Sequence, residues 1–277
     1  MEPVDSSTLV VEGFLNTGSP LPDVLLRRTV DPDRKWSGSE VAVTDAHVEL
    51  AIRDTRIRYQ PDPTRPGRYN PVRRDLVAEA GSPYHFVVDW GEQTVEAEGI
   101  LPPKVDLVDV DLTIPEKPVS AVFLDSLSLG DTLATGAYTG YIYPIEVSVM
   151  WAGSEPPAAT SWVRVQLKPY SAFSSTVIDL FLESDVVLRE VEQELLPGET
   201  RRWRGLYAVG VPNANAPLPE HLLRVSVVRS GEDYARFATS KNEPDRREPI
   251  TNLEGAVGIF TAVSVDSLRL TVSQSDR

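Results

Sequence analysis

The chain has 277 residues, of which 41% are hydrophobic, and a net charge of −14 from 41 acidic and 27 basic side chains. The length suits two ordinary domains or one large all-β unit, and the acidic excess disfavours nucleic acid and anionic membranes as partners, because both repel negative charge. The absence of cysteine excludes disulfides, thiolate zinc sites and cysteine nucleophiles, and no apolar run approaches the roughly 20 residues of a transmembrane helix.

The N-terminal segment MEPVDSSTLVVEG has neither the basic n-region nor the apolar h-region of a signal peptide. A mature exported domain whose leader had been removed would begin in the same way. From Thr8 to Asn16, alternating residues predict a strand that buries either Leu9, Val11 and Leu15 or the residues of the opposite face.

Period-two alternation continues through the rest of the N-terminal block. The segments EVAVTD, HVELAI, YHFVVDW and QTVEAEGI are each typical of a short antiparallel strand. The stretch YQPDPTRPGRYNP (59–71) is too rich in proline for a central strand and is predicted to be a loop plus an edge strand. Residues 1–103 are therefore predicted to form a first β domain.

An acidic segment bracketed by prolines follows, in the sequence GILPPKVDLVDVDLTIPEKP. Residues 104–120 are predicted to be an interdomain connector that contains one strand. Asp106, Asp109 and Asp111 are conceivable calcium ligands, but their spacing is not that of an EF-hand loop and no glycine supplies its turn. A solvated strand face is the preferred interpretation.

Strand patterns resume in the second block, which is predicted to be a β-sandwich or barrel-like domain over residues 121–277. YIYPIEVSVMW, SWVRVQLKP, WRGLYAVGV and HLLRVSVVR alternate clearly, whereas VVLREVEQELL fits a short helix as well as a strand. SGEDYARFATSK is the best helix prediction, with Ser230 as its N-cap. The sequence thus predicts an all-β protein with one or two short helices.

The side chains that could support catalysis form no recognisable constellation. The three histidines, His47, His85 and His221, lie in ordinary strand-like segments, and a site in which all three hold a metal is disfavoured. No GxSxG, Walker or HExxH motif occurs, and no pair of carboxylates stands out. We therefore expect no catalytic residue, metal site or cofactor.

Exposed aromatic side chains are the remaining candidates for ligand contact. Trp90, Trp151 and Trp203 alternate in register with aliphatic residues and are predicted to lie in the core. Trp36 lies in the loop DPDRKWSGSE, and Trp162 falls on the polar face of its strand. These two tryptophans are the predicted binding residues, with packing beneath a neighbouring loop as the alternative.

Two glycines interrupt the C-terminal strand pattern, in the sequence TNLEGAVGIFTAVSV. A phosphate-binding loop would require a helix N-terminus after the glycines, but strand-like alternation follows Gly258 instead. Gly255 and Gly258 are therefore predicted to mark a bulge or a close approach of two backbones.

The same stretch carries a family resemblance. TNLEGAVGIFTA resembles the closing motif of Bacteroidetes-type outer-membrane lipoproteins grouped as domain of unknown function 4249, in which Asn252, Glu254 and Gly255 match an Asn–hydrophobe–Glu–Gly run and Gly258 a Gly–aromatic strand. Further similar segments follow the family's order: LVVEGFLNTGSPLPDVLLRRT, GSEVAVTD, the run from GRYNP to EGILP, and HLLRVSVVRSGEDYARFATS. The sequence departs from the family at Ala256, where a second glycine is usual, and lacks a lipobox cysteine.

The resemblance implies a lipoprotein of the outer membrane, facing the cell surface or the periplasm, that meets the membrane only through an N-terminal lipid anchor. It implies an immunoglobulin-like or carboxypeptidase-regulatory-like sandwich followed by a second β domain. Genes of such proteins tend to lie beside those of TonB-dependent transporters, so a transporter is the expected partner. The family supplies no catalytic residue.

Three functions remain open from the sequence. The first is a non-enzymatic accessory or binding component of TonB-dependent uptake, with a small molecule, glycan or peptide as ligand. The second is a stand-alone carbohydrate-binding or adhesion module, to which the two tryptophans would be suited. The third is a structural extracellular protein.

Overall fold

The computed structural model describes residues 7–30, 37–129, 132–153, 161–170, 187–190, 193–196, 200–241, 243 and 249–274. Within these ranges the chain forms sixteen strands and one short helix, so the predicted all-β fold is confirmed. No helix in the described ranges is both long and apolar enough to cross a membrane.

Seven strands arise from the N-terminal block. They are β1 (Leu9–Asn16), β2 (Val24–Arg28), β3 (His47–Ile52), β4 (Thr55–Pro61), β5 (Arg68–Pro71), β6 (Pro83–Trp90) and β7 (Gln93–Ile100). Strand β1 buries Leu9, Val11 and Leu15, which decides between the two faces that the sequence left open. The segment EVAVTD buries Val41 and Val43 but pairs through a single residue, so the strand predicted there is wrong.

Nine strands and the helix follow. They are β8 (Asp106–Thr113), β9 (Val119–Leu129), β10 (Thr132–Ala152), β11 (Trp162–Tyr170), β12 (Val187–Arg189), β13 (Glu194–Leu196), β14 (Thr200–Val211), β15 (His221–Ser230), α1 (Glu232–Ser240) and β16 (Val257–Val272). The described part of VVLREVEQELL forms strands, not a helix. Ser230 as the N-cap of α1 is wrong: it ends β15, and Gly231 occupies the cap position without a side-chain hydrogen bond.

Eleven strands form one sheet in the order β12-β11-β15-β16-β1-β2-β5-β4-β3-β6-β7. The long strand β16 joins its two parts: residues 257–263 pair in parallel with β1, and residues 263–272 pair antiparallel with β15. The first and last strands of the fold are thus neighbours.

Strands β4 and β5 lie inside this sheet, between β2 and β3. The edge strand predicted within residues 59–71 is therefore wrong, whereas the predicted loop is present at residues 62–67, between β4 and β5. Pro61 and Pro71 are the last residues of their strands, where a missing N–H interrupts the ladder least.

The remaining five strands form a second sheet. Four of them stand in the order β13-β14-β10-β8, and β9 pairs with β10 outside this order. Strand β8 is the strand predicted within the connector. Strand β9 pairs with the first half of β10 in a hairpin, from Val119 opposite Ile142 to Leu129 opposite Thr132.

Two hydrophobic cores result. The first is built from the N-terminal strands and also contains Leu253, Ala256, Phe260 and Ala262, with the ring of Phe260 stacked 3.7 Å from that of Phe86. The second lies between β8, β10, β14, β11, β15 and the end of β16. The predicted boundary at residues 104–120 therefore does not divide the packing, because residues 253–262 of the predicted second domain complete the first core.

A buried ion pair lies where the connector meets the second core. Arg229 is fully buried and contacts the carboxylate of Glu190, itself 1% exposed. Its Nη1 donates to the carbonyl oxygen of Lys104 at 3.0 Å. Arg229 thereby attaches the connector to β15. The same carboxylate oxygen of Glu190 lies 3.5 Å from Nη1 of Arg201, so removing Glu190 would leave both guanidinium groups without it.

Candidate functional site

An open groove of about 650 Å³ lies on the outer face of the second sheet. The register of β8, β10 and β14 sets its side chains in rows, and we call this surface the sheet groove. Its three rows are Thr113–Glu146–Leu206, Asp111–Ser148–Arg204 and Asp109–Met150–Arg202. Alternation explains the arrangement, because the intervening residues of the same strands face the second core.

Charge is separated across the sheet groove. The carboxylates of Asp111 and Glu146 lie on β8 and β10, and the guanidinium groups of Arg202 and Arg204 lie on β14. Among the described residues these four side chains form no ion pair with one another. The Nη2 of Arg202 contacts the sulfur of Met150 at 3.4 Å, and its Nε is buried with no hydrogen-bond partner in the described chain.

Gly205 separates the groove from the core beneath it. A Cβ built on Gly205 would lie 1.9 Å from Cη2 of Trp203, because the indole ring folds across this glycine on the core side. Trp203 is half-buried and packs against the second core. A larger residue at position 205 would displace the indole and deform the strand that carries Arg202 and Arg204.

Two exposed valines lie at the base of the β9–β10 hairpin, opposite Ile142 and Thr139 of β10. They are three residues apart on β9 and therefore lie on opposite faces of this strand. Val122 is 67% exposed, Val119 is 45% exposed and Leu206, in the groove itself, is 36% exposed. We call Val119 and Val122 the hairpin base. The hairpin base thus gives β9 exposed apolar surface on both of its faces.

The closing motif, residues 251–258, holds the first core closed. The side chain of Asn252 imitates a strand: its Nδ2 donates to the carbonyl oxygen of Phe260 at 2.8 Å, and its Oδ1 accepts from the Phe260 N–H at 3.2 Å. The backbone of Glu254 exchanges hydrogen bonds with that of Glu96 on β7, at 3.1 and 3.4 Å. The motif thus connects the last strand of the N-terminal block to β16.

Both glycines of the motif stand where two backbones approach closely. Gly255 has φ +81°, and a Cβ there would lie 2.8 Å from the carbonyl oxygen of Thr94. Gly258 has φ +103°, and its Cβ would lie 2.1 Å from the carbonyl oxygen of Val11. The predicted close approach is thus present at both positions, and no phosphate loop is formed, since β16 begins directly after Ala256.

A second groove, of about 620 Å³, borders the motif on the outside. Its walls include His85, Glu96 and Asp233, and the Nε2 of His85 lies 3.1 Å from a carboxylate oxygen of Glu96. Both side chains are about half exposed, so water screens this contact. Asn252 and Glu254 line this groove, but the hydrogen bonds described above connect them to the fold.

The two tryptophans predicted to bind ligand are not brought together by the described structure. Trp36 lies outside the described residues. Trp162 is half-buried on β11, away from both grooves, with the guanidinium carbon of Arg189 5.4 Å from its ring centroid. A sugar stacking on Trp162 would compete with Arg189 for the ring.

The three histidines lie apart. His47 and His85 are exposed on the first sheet, whereas His221 is 3% exposed in the second core. The Nδ1 of His221 donates to the carbonyl oxygen of Pro219 at 2.8 Å, so its Nε2 accepts the hydroxyl proton of Tyr207 at 2.7 Å. Burial lowers the pKa of His221 below its ordinary value of 6.5. Within the described residues, no three His, Asp or Glu side chains are placed to hold a metal ion.

Sequence reasoning missed the sheet groove. The alternating acids Asp109 and Asp111 and the alternating bases Arg202 and Arg204 were visible, but only as two solvated faces. Their meeting depends on β10 pairing with both strands, and nothing local in the sequence specifies that pairing.

Comparison with known proteins gives one family. A family model described as "Domain of unknown function (DUF4249)" matches residues 1–269. The chain has no match among curated proteins or among solved structures.

Proposed function

The chain belongs to the DUF4249 family, and from that premise we propose that it is a non-enzymatic binding protein, an accessory of a TonB-dependent outer-membrane transporter. The observation that carries the proposal is the sheet groove, a cleft whose four charged side chains form no ion pair with one another among the described residues. Binding sites characteristically combine a concave surface with a few convergent polar groups.

Recognition suits the chemistry of the groove better than catalysis does. A nucleophile needs a base within hydrogen-bond reach, and among the described residues the hydroxyl groups that line the groove are those of Thr113 and Ser148. No described histidine lines it. Its charged side chains stand on separate strands, an arrangement that suits the contact of an extended ligand.

The hairpin base is the proposed contact with the transporter. Val119 and Val122 expose apolar surface on the two faces of β9, which in the described sheet pairs only with β10, so a partner that wraps this strand would cover both side chains. Burying a valine side chain contributes about 1.5 kcal/mol or more, which makes these two residues suitable anchors. The chain as a whole has a net charge of −14, which opposes nonspecific self-association.

We further propose that the protein is a Bacteroidetes-type lipoprotein of the outer membrane, exposed at the cell surface or to the periplasm. The support is the ordered resemblance of the motifs from LVVEGFLN to TNLEGAVGIF. A lipid anchor would hold the protein beside its transporter and raise their effective concentration.

Affinity purification of the full-length protein from native outer membranes tests the proposal, with mass spectrometry to identify a TonB-dependent transporter. We expect the wild-type protein and Val72→Asp to recover the transporter, and Val122→Asp to recover much less. Val72 is the matched control, because it is 54% exposed on the first block. Recovery of no transporter, or equal recovery with both variants, would count against the proposal.

A further inference from the structure

The geometry points to a ligand class for the sheet groove: we propose that it binds a short extended peptide of about three residues with both termini free. The inference rests on the proposed binding function and specifies its ligand. It is carried by the separation of charge across three strands.

The two termini of such a peptide match opposite sides of the groove. An N-terminal ammonium would lie against the carboxylate of Asp111 on β8, and a C-terminal carboxylate against the guanidinium groups of Arg202 and Arg204 on β14. Charge-assisted hydrogen bonds of this kind are stronger than neutral ones, and a guanidinium can hold a carboxylate through two parallel bonds. A ligand of one charge would leave one side of the groove unsatisfied.

The distance between the charged columns sets the length. Strands β8 and β14 are second neighbours, with β10 between them, so their backbones are about 10 Å apart at two strand spacings. An extended chain advances roughly 3.3–3.6 Å per residue, so a tripeptide spans about 10 Å. A free amino acid is too short to reach both sides at once.

The middle of the groove suits the body of a peptide. Ser148 lies between Asp111 and Arg204 in the central row, where its hydroxyl can donate to or accept from a peptide group. Leu206 and Met150 lie in the adjacent rows and offer apolar contact to side chains. A volume of about 650 Å³ is within the usual range for small ligands, about 300–1,000 Å³.

The groups required for binding are not committed elsewhere. In the described part of the chain, no hydrogen bond or ion pair engages the side chains of Asp111, Glu146 or Arg204, and Arg202 contacts only the sulfur of Met150. A peptide would therefore displace water rather than an internal partner, which lowers the cost of binding.

Isothermal titration of the purified protein with the tripeptide Ala-Leu-Ala tests the inference. We expect saturable binding that weakens as ionic strength rises. N-acetylation or C-amidation of the peptide should each weaken it by on the order of tenfold, since each removes one charge-assisted contact. The dipeptide should bind more weakly than the tripeptide.

Matched variants connect the result to the groove. Arg204→Gln should weaken the free tripeptide about tenfold and leave the C-amidated peptide unaffected, since that peptide has no carboxylate to lose. Asp111→Asn should do the same with respect to the N-acetylated peptide. Arg58→Gln and Glu98→Gln, which change exposed strand residues of the first block, should leave binding unchanged.

Several results would overturn the inference: no binding at millimolar tripeptide, equal binding of the doubly blocked peptide, or equal effects of Arg204→Gln and Arg58→Gln. If the tripeptide does not bind but the transporter is still recovered from membranes, the ligand class fails and the proposed function stands. If the tripeptide binds and no transporter is recovered, the peptide site stands without the proposed transport role.

Discussion

Replacing Gly258 with alanine tests whether the closing motif is needed for the close approach of the first and last strands. Gly258 pairs with Val11 in the parallel ladder between β1 and β16. The added methyl group would lie 2.1 Å from the Val11 carbonyl oxygen, and φ at this position is +103°. The change thus adds a steric overlap to a backbone conformation that side chains rarely adopt.

The cost follows from these two effects. The strained φ alone costs about 1–3 kcal/mol. Ordinary contact begins near 3.4 Å, so the strands must separate by about 1.3 Å, which breaks nearby ladder hydrogen bonds. Losing two of them at about 1 kcal/mol each brings the total to about 3–5 kcal/mol.

Gly18→Ala is the matched control, because Gly18 has φ +78° but nothing lies within 4 Å of its Cβ position. It should cost only about 1–2 kcal/mol, the strain of a left-handed residue. Urea denaturation with tryptophan fluorescence gives both free energies of unfolding. If Gly258→Ala destabilises no more than Gly18→Ala, the close approach does not constrain the fold and the reasoning is refuted.

Three further predictions concern buried polar groups, each measured by the free energy of unfolding. Asn252→Ala should cost about 1–3 kcal/mol, because it removes both backbone contacts of the side chain; a cost near zero would contradict the role of the motif. Glu190→Gln should cost about 3–5 kcal/mol, because it removes the carboxylate that the guanidinium groups of Arg229 and Arg201 share; a cost below about 1 kcal/mol would contradict this pairing. The pKa of His221 is lower in the folded than in the unfolded chain, so the unfolded chain takes up the proton first and the free energy of unfolding should fall as the pH drops below 6.5. Tyr207→Phe should cost about 1–3 kcal/mol, because it removes the hydroxyl that donates to Nε2 of His221. An unchanged free energy of unfolding would contradict the assigned tautomer.

The sequence predicted the local structure well because period-two alternation reports directly on which residues are buried. Val163, Val165 and Leu167 in β11 were predicted to lie in the core and are each 3% exposed. Alternation does not report which strands are neighbours. The pairing of β1 with β16 depends on contacts between the two ends of the chain, so the first core could not be assigned correctly from the sequence.

The candidate site depends even more on which strands are neighbours, which alternation does not report. The role of the glycines in the closing motif could be predicted locally, because a glycine inside a strand often marks a bulge or a close approach of two backbones. The sheet groove could not be predicted in this way. Asp111 and Arg204 lie in one row only because both pair with Ser148 on β10. Trp162 was predicted to bind ligand because it lies on the polar face of its strand. That pattern does not show that the guanidinium group of Arg189 lies against its ring.

The most direct test of the central claim is site-specific photo-crosslinking in native outer membranes, with a photoreactive phenylalanine analogue at position 122. We expect a crosslink from position 122 to a TonB-dependent transporter, and none from control position 72, which is 54% exposed against 67% for Val122. Crosslinks from both positions in equal yield, or from neither, would contradict the claim that the hairpin base is a contact surface.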